Sequence, residues 1–398
     1  MNTFQTVRIS FPKVRNIVWT MSISHLFIEI YLMMHISLIP VFIKEFNLSL
    51  FQISFLISIP TLVGLIVSLL SGVIVDKIGA KPVLILSMGL QFLGGLLIAE
   101  CWDIILLFTG VTLIWIASPL YHNSGLTTIS TNTYDKELSR AMGTHNALGS
   151  VGSFLGLISL SIILVYGNWR LSYLIWAIPI LLWTMLLFKV NIVSDTPNVS
   201  NKNRDPKLIL SANLVRFLFS ITTCQMGAVV ILTFITSYMV VERNISEAMA
   251  SLVFSIGPLI GILSSFFAGL ASSRIGDKRF LFIAMLFSAT FATVIPIMPT
   301  IGLLATAFLS FSFFAHSMFP PITAIVATLS PPNRRGMAYS AFISVYQVIF
   351  ALTPPIVAKI VELSSLWVMF PISFVLIIIS MVILKLFGER FGNEEWVR

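Results

Sequence analysis

The chain has 398 residues, of which 57% are hydrophobic and only 10% charged, with a mean hydropathy of +0.98. So few polar groups cannot cover the surface of a water-soluble globule, so the composition places the chain in a bilayer. The formal net charge is +8, but the basic residues are dispersed between apolar runs and never form a patch, which excludes a nucleic-acid footprint.

The first apolar run extends from Asn16 to Ile43 and follows Arg8, Lys13 and Arg15. That order mimics a signal peptide, but the run is too long and lacks a small-residue cleavage site, so it is read as a retained membrane helix. Apolar runs of about 18 to 28 residues recur along the chain, each long enough to cross about 30 Å of hydrocarbon as a helix. Twelve are expected, centred near residues 30, 62, 91, 117, 153, 180, 227, 259, 290, 315, 349 and 376. Cys101 and Cys224 fall in different runs of different halves, which suits buried small hydrophobes better than a disulfide or metal site.

The turn Gly72-Val-Ile-Val-Asp-Lys-Ile-Gly-Ala-Lys81 after the second run returns as Gly269-Leu-Ala-Ser-Ser-Arg-Ile-Gly-Asp-Lys278, offset by 197 residues. Arg140-Ala-Met-Gly143 likewise answers Arg335-Gly-Met-Ala338 at an offset of 195. Two related halves follow, an N-terminal bundle over 1–192 and a C-terminal bundle over 208–398, each of six helices. The polar stretch 193–207, with two prolines and three asparagines, is the expected cytoplasmic linker.

Loop charge sets the orientation. With the N-terminus inside, nineteen Lys and Arg residues fall on the inner face and only Lys44, Arg170, Arg243 and Lys359 on the outer one, so both termini are expected in the cytoplasm. Trp102, Trp169 and Trp367 sit at expected outer boundaries, and Trp19 at an inner one, as interfacial aromatics do.

Polarity is unequal among the helices. The third, sixth, ninth and twelfth carry no ionisable group in their cores and are expected to face lipid or the rim. All five histidines and the one deep carboxylate lie in the first, fourth, fifth and tenth: His25, Glu29, His35, His122, His145 and His316. An ionisable group at the bilayer centre costs at least about 2.5 kcal/mol unless it faces protein or water, so these helices should line an interior.

The paired turns, the twelve helices and the inner linker together resemble the major facilitator superfamily over essentially the whole chain. Three stretches carry a narrower likeness: His25-Leu-Phe-Ile-Glu29, Leu120-Tyr-His-Asn-Ser-Gly-Leu126 and Arg140-Ala-Met-Gly-Thr-His145. They resemble the fosmidomycin-resistance branch, with Glu29 in place of the branch's aspartate and Asn123-Ser124 in place of Pro-Ala. In that superfamily the aspartate matching Asp76 packs against the start of the eleventh helix, whose unpaired N–H groups attract an anion. The resemblance thus implies an inner gate built from Gly72, Asp76, Lys77, Gly79 and Lys81, with Arg140 and Arg335 at the helix entries. Gly72 and Gly79 would permit tight packing there. Ser273 replaces the aspartate in the second turn, so the latch is expected to be one-sided.

His25 and Glu29, four residues apart, share a helical face. Burial and a charged partner push a carboxyl group's proton affinity in opposite directions, so such a pair can exchange protons near neutrality. Glu29, aided by His25, is the expected proton carrier, against the plainer reading of a fixed interhelical hydrogen bond. His122 and His316 match at an offset of 194 and are expected on two sides of a substrate cavity, with Gln225 and Gln347 as further polar contacts. His145 is expected to gate or pack, and His35 to pack. Gly149, Gly152 and Gly156 should bring the fifth helix close to a neighbour. Superfamily antiporters often carry a proline where Leu157 stands, so export is not established by this element.

The histidines show no H-x-x-x-H or H-E-x-x-H spacing, and no nucleophile elbow or phosphate loop is present, so neither a metal, a cofactor nor an enzyme is expected. The expected fold is an all-α membrane protein of two pseudo-symmetric six-helix bundles. Its expected function is secondary transport of a small organic compound across the plasma membrane by alternating access, coupled to protons, with drug or metabolite efflux as one direction. The different-class alternative is a membrane receptor or sensor on the same scaffold. A monomer is what the family resemblance implies.

Overall fold

The structure, a computed structural model, describes residues 11–133, 135–190, 211–331 and 335–388. The expected linker 193–207 lies outside the described residues. Among those described there is no strand, and twelve helices are long and apolar enough to cross a membrane. In chain order they are α1 Asn16–Ser37, α2 Leu50–Ile78, α3 Ala80–Ala99, α4 Ile104–Asn132, α5 Arg140–Leu164, α6 Arg170–Lys189, α7 Ala212–Val241, α8 Glu247–Ile275, α9 Asp277–Ile297, α10 Ile301–Thr328, α11 Met337–Glu362 and α12 Leu366–Leu386.

Proline shapes several of these helices because it lacks an N–H and its ring crowds the preceding turn. The helix of α8 is interrupted at Ile256, ahead of Pro258, and that of α10 at Met318, ahead of Pro320 and Pro321. The Thr353-Pro354-Pro355 stretch lies inside one continuous helix, and a hydroxyl there, Thr353 Oγ1, is buried without a partner. Neighbouring helices allow such prolines inside a spanning helix by supplying the missing packing.

Both repeated turns close on a glycine in the left-handed region, Gly79 at φ 87° and Gly276 at φ 89°. The same backbone at the same place in each copy explains why glycine recurs there. Gly72 departs from expectation: it is exposed, and a Cβ on it would meet nothing within 4 Å, so no close packing requires it.

The described helices form two compact units. Of the described residues, the first comprises 11–33, 66–133, 135–156 and 169–190, the second 34–65, 157–168, 211–331 and 335–388. The second unit therefore collects Met34–Leu65 and Leu157–Asn168 from the first half of the chain.

Within the first unit, Met21, Ile28, Met88, Ala117, Tyr121 and Ile129 form a buried apolar core. Buried polar groups tie its helices: the Gln91 amide donates to the carbonyls of Phe27 and Ile28, and Trp183 Nε1 donates to Ser24 Oγ at 2.9 Å. The rim helix α6 exposes Ile178, Leu182, Met185 and Phe188 as expected. Trp169 is different. It is buried at 3% exposure, with the Arg170 guanidinium 4.4 Å over its ring, whereas Trp102 at 77% stands out as an interfacial aromatic should.

Within the second unit α7 is closely enclosed, with Phe217, Ile221, Cys224, Phe234, Ile235 and Tyr238 all buried. Serines replace bulk on its contact with α12: Ser380 Oγ donates to the Ser220 carbonyl at 2.7 Å and Ser373 Oγ to that of Gly227 at 2.8 Å. At the end far from the repeated turns, Lys44 Nζ reaches Glu247 Oε1 at 2.6 Å. Glu362 Oε1 accepts the Phe51 N–H at 2.8 Å, which caps the first turn of α2 with a carboxylate where the helix dipole favours one. Replacing Glu362 with Gln is expected to lower thermal stability modestly, by about 1 kcal/mol for a lost charged cap, as read by a detergent melting curve. Lys44→Ala, at an exposed pair, should cost at most about 1 kcal/mol.

Candidate functional site

The seam between α1 and α5 builds the site. A Cβ on Gly152 would collide with the carbonyl of Leu26, one on Gly156 with that of Ile30, and one on Gly149 with the His25 ring. The glycine ladder therefore lets the backbone of α5 lie directly on α1, as its spacing implied. Close approach of the two backbones carries Ser153 and His145 to the face of α1 that bears His25 and Glu29.

His25 Nε2 lies 3.5 Å from Glu29 Oε1, and His25 Nδ1 lies 2.8 Å from the His145 carbonyl oxygen. A carbonyl only accepts, so Nδ1 carries the hydrogen and Nε2 is the atom turned toward the carboxylate. With a neutral ring, a lone pair would face a carboxylate oxygen. A cation on that line, the simplest being a proton held by the pair, removes the conflict. Ser153 Oγ donates to the other carboxylate oxygen, Glu29 Oε2, at 3.1 Å.

His122, from α4, completes the group. Its Nε2 is 3.9 Å from Glu29 Oε1, and its ring meets that of His25 edge-on at 5.0 Å. Glu29 is 16% exposed and His122 is 39% exposed, so the histidine is the accessible side of an otherwise enclosed carboxylate. His122 Nδ1 is buried without a hydrogen-bond partner. Behind the pair, His145 stacks on His25 at 4.0 Å and its Nε2 lies 3.0 Å from the Tyr121 hydroxyl. That hydroxyl donates to the Met21 carbonyl at 2.5 Å, so it accepts from His145.

Three atoms that can ligate a metal, one each from His25, Glu29 and His122, lie within 4.8 Å of one another. Spacing along the sequence argued against a metal site because His122 arrives from a different helix, a relation no local motif records.

The remaining candidates are dispersed. In the second unit His316 Nδ1 pairs with the Ser312 carbonyl at 2.7 Å, one turn back on its own helix, and its ring borders Gly261. Gln347 Oε1 is buried without a partner, and Gln225 is half-buried. Among the described residues no hydrogen bond joins these three. Of the expected gate, Asp76, Lys77 and Arg140 are exposed, Lys81 Nζ donates to the Phe188 carbonyl at 3.0 Å, and the Arg335 side chain lies outside the described residues. Asp76 makes no hydrogen bond or ion pair with another described residue. His35 is fully buried, in keeping with a packing role.

Sequence reasoning singled out His25, Glu29 and His122 but missed Ser153 and the Tyr121–His145 pair as their surroundings. The glycine ladder was the available signal for Ser153, which follows Gly152 directly on the side that touches α1.

The model of the Major Facilitator Superfamily matches the chain twice, over residues 21–220 and 217–395. Among curated proteins none matches by sequence. A solved structure of a point mutant of the nucleoside transporter NupG superposes with a TM-score of 0.78 at 16% identity, covering 95% of this chain and all of that one. At that identity the likeness is one of fold.

Proposed function

Because the chain belongs to the Major Facilitator Superfamily, we propose that it is a proton-coupled secondary transporter of a small organic compound, with Glu29 as the proton carrier. It works by alternating access between two related bundles, 1–192 and 208–398. The observation that supports this reading is the enclosed carboxylate with imidazoles on two sides, His25 at 3.5 Å and His122 at 3.9 Å. Such a group sits in a membrane helix at a cost that function must offset. His25 keeps its ring hydrogen on Nδ1 through the His145 carbonyl, which leaves Nε2 to share the proton with Glu29. His122, more exposed, is placed to pass that proton to water or substrate. His122, His316, Gln225 and Gln347 are the proposed substrate contacts, and Asp76 with its flanking Gly72, Lys77, Gly79 and Lys81 forms the proposed inner gate against the helix that begins near Arg335. Arg140, at the start of α5, flanks the same face. The protein acts as a monomer in the plasma membrane with both termini in the cytoplasm.

The substrate class follows from what surrounds the carboxylate. Among the described residues no Lys or Arg forms an ion pair with Glu29, so a multiply charged anion has no bidentate partner there, and a neutral or weakly cationic amphipathic compound fits better. The test is uptake and efflux in proteoliposomes under an imposed pH gradient. The panel includes phosphonates, for the branch resemblance, and nucleosides, for the protein of similar fold. Accumulation that needs the gradient, accompanied by proton movement seen with an entrapped dye, is the expected result. Substrate binding without any flux would overturn the reading in favour of a sensor.

A further inference from the structure

We infer that His25 Nε2, Glu29 Oε1 and His122 Nε2 form a binding site for a divalent first-row transition-metal ion of the zinc type. The ligand set stands on geometry alone.

Two imidazoles and one carboxylate suit zinc, which bonds nitrogen and carboxylate oxygen at about 2.0–2.2 Å and accepts three protein ligands with a fourth position open. Mg2+ and Ca2+ prefer all-oxygen sites, so two imidazoles select against them. Ligand atoms around a tetrahedral zinc are about 3.3 Å apart for bonds of that length. The His25–Glu29 separation of 3.5 Å already fits, and the Glu29–His122 separation of 3.9 Å needs only a small closure. His122 is the ligand able to supply it, since no hydrogen bond fixes its Nδ1 and its side chain is 39% exposed. The same exposure gives the ion a way in and leaves the open position for water.

The surroundings are those a metal ligand needs. A ligating histidine donates its other ring N–H to a carbonyl or carboxylate, which fixes its tautomer. His25 does so through Nδ1 to the His145 carbonyl at 2.8 Å. A ligating carboxylate is in turn held by a hydrogen bond, here from Ser153 at 3.1 Å. His145 is outside the ligand set: its Nε2 faces the Tyr121 hydroxyl and its Nδ1 faces Asn146 Oδ1.

The experiment uses the full-length protein in detergent with any histidine tag removed, titrated with Co2+ as a visible reporter and then with Zn2+. The expected result is one Co2+ per chain with the intense visible bands of a four-coordinate ion, displaced by Zn2+. His122→Ala should weaken binding by about 100-fold or more and Ser153→Ala by about 10-fold, while His316→Ala should leave the spectrum unchanged. Absence of the bands, or bands unaltered in His122→Ala, overturns the site. Co2+ bands in a protein whose transport does not depend on Glu29 keep the metal site and sink the proton-carrier reading. Proton-driven transport dependent on Glu29 in a protein that gives no Co2+ bands does the reverse.

Discussion

Glu29→Gln is expected to abolish gradient-driven accumulation while leaving the protein folded and able to exchange substrate across the membrane without a gradient. Glutamine has nearly the same shape, so its carbonyl oxygen can still accept from Ser153 Oγ, now 3.1 Å from Glu29 Oε2. Its amide can donate to His25 Nε2, which lies 3.5 Å from Glu29 Oε1 and, with the ring hydrogen on Nδ1, offers a lone pair. The substitution thus removes a titrating group from a satisfied pair without leaving an orphan, and stability should change by no more than about 1 kcal/mol. What is lost is the ability to load and release a proton. Reconstituted protein would show this as accumulation that no longer exceeds equilibration, with counterflow retained and dye-detected proton movement absent. Wild-type accumulation by the Gln variant would remove Glu29 from the coupling mechanism.

The second large effect is expected at Gly152. A methyl group there meets the backbone carbonyl of Leu26, which cannot turn aside as a flexible side chain could. Gly152→Ala should cost about 1–3 kcal/mol through overpacking, and Gly152→Leu should prevent recovery of monodisperse protein. Because the same seam holds Ser153 against Glu29, the Ala variant should also lose transport more than its melting temperature alone accounts for. Gly89→Ala is the paired control. A Cβ at Gly89 meets nothing within 4 Å, so the same change in the middle of α3 should be neutral or stabilising by up to about 1 kcal/mol from helix propensity. A melting series in detergent separates the two, and equal behaviour of the two variants would show that the α1–α5 seam is not close-packed.

The sequence by itself determined the twelve spans, the duplicated turn and the pairing of His25 with Glu29. Each of these depends on local or repeating information. Apolar length sets a span, the recurrence of Gly79 as Gly276 reflects one backbone conformation used twice, and residues four apart share a helical face whatever surrounds them. Only the tertiary structure decided the rest. His122 and Ser153 meet Glu29 because of how α4 and α5 cross α1, and crossing is fixed by side-chain packing between helices far apart in sequence. Trp169 is buried and Gly72 exposed for the same reason, since neighbours rather than residue type settle exposure. A histidine in one helix becomes a partner of a carboxylate in another through the fit of their helices, and no spacing along the chain encodes that fit.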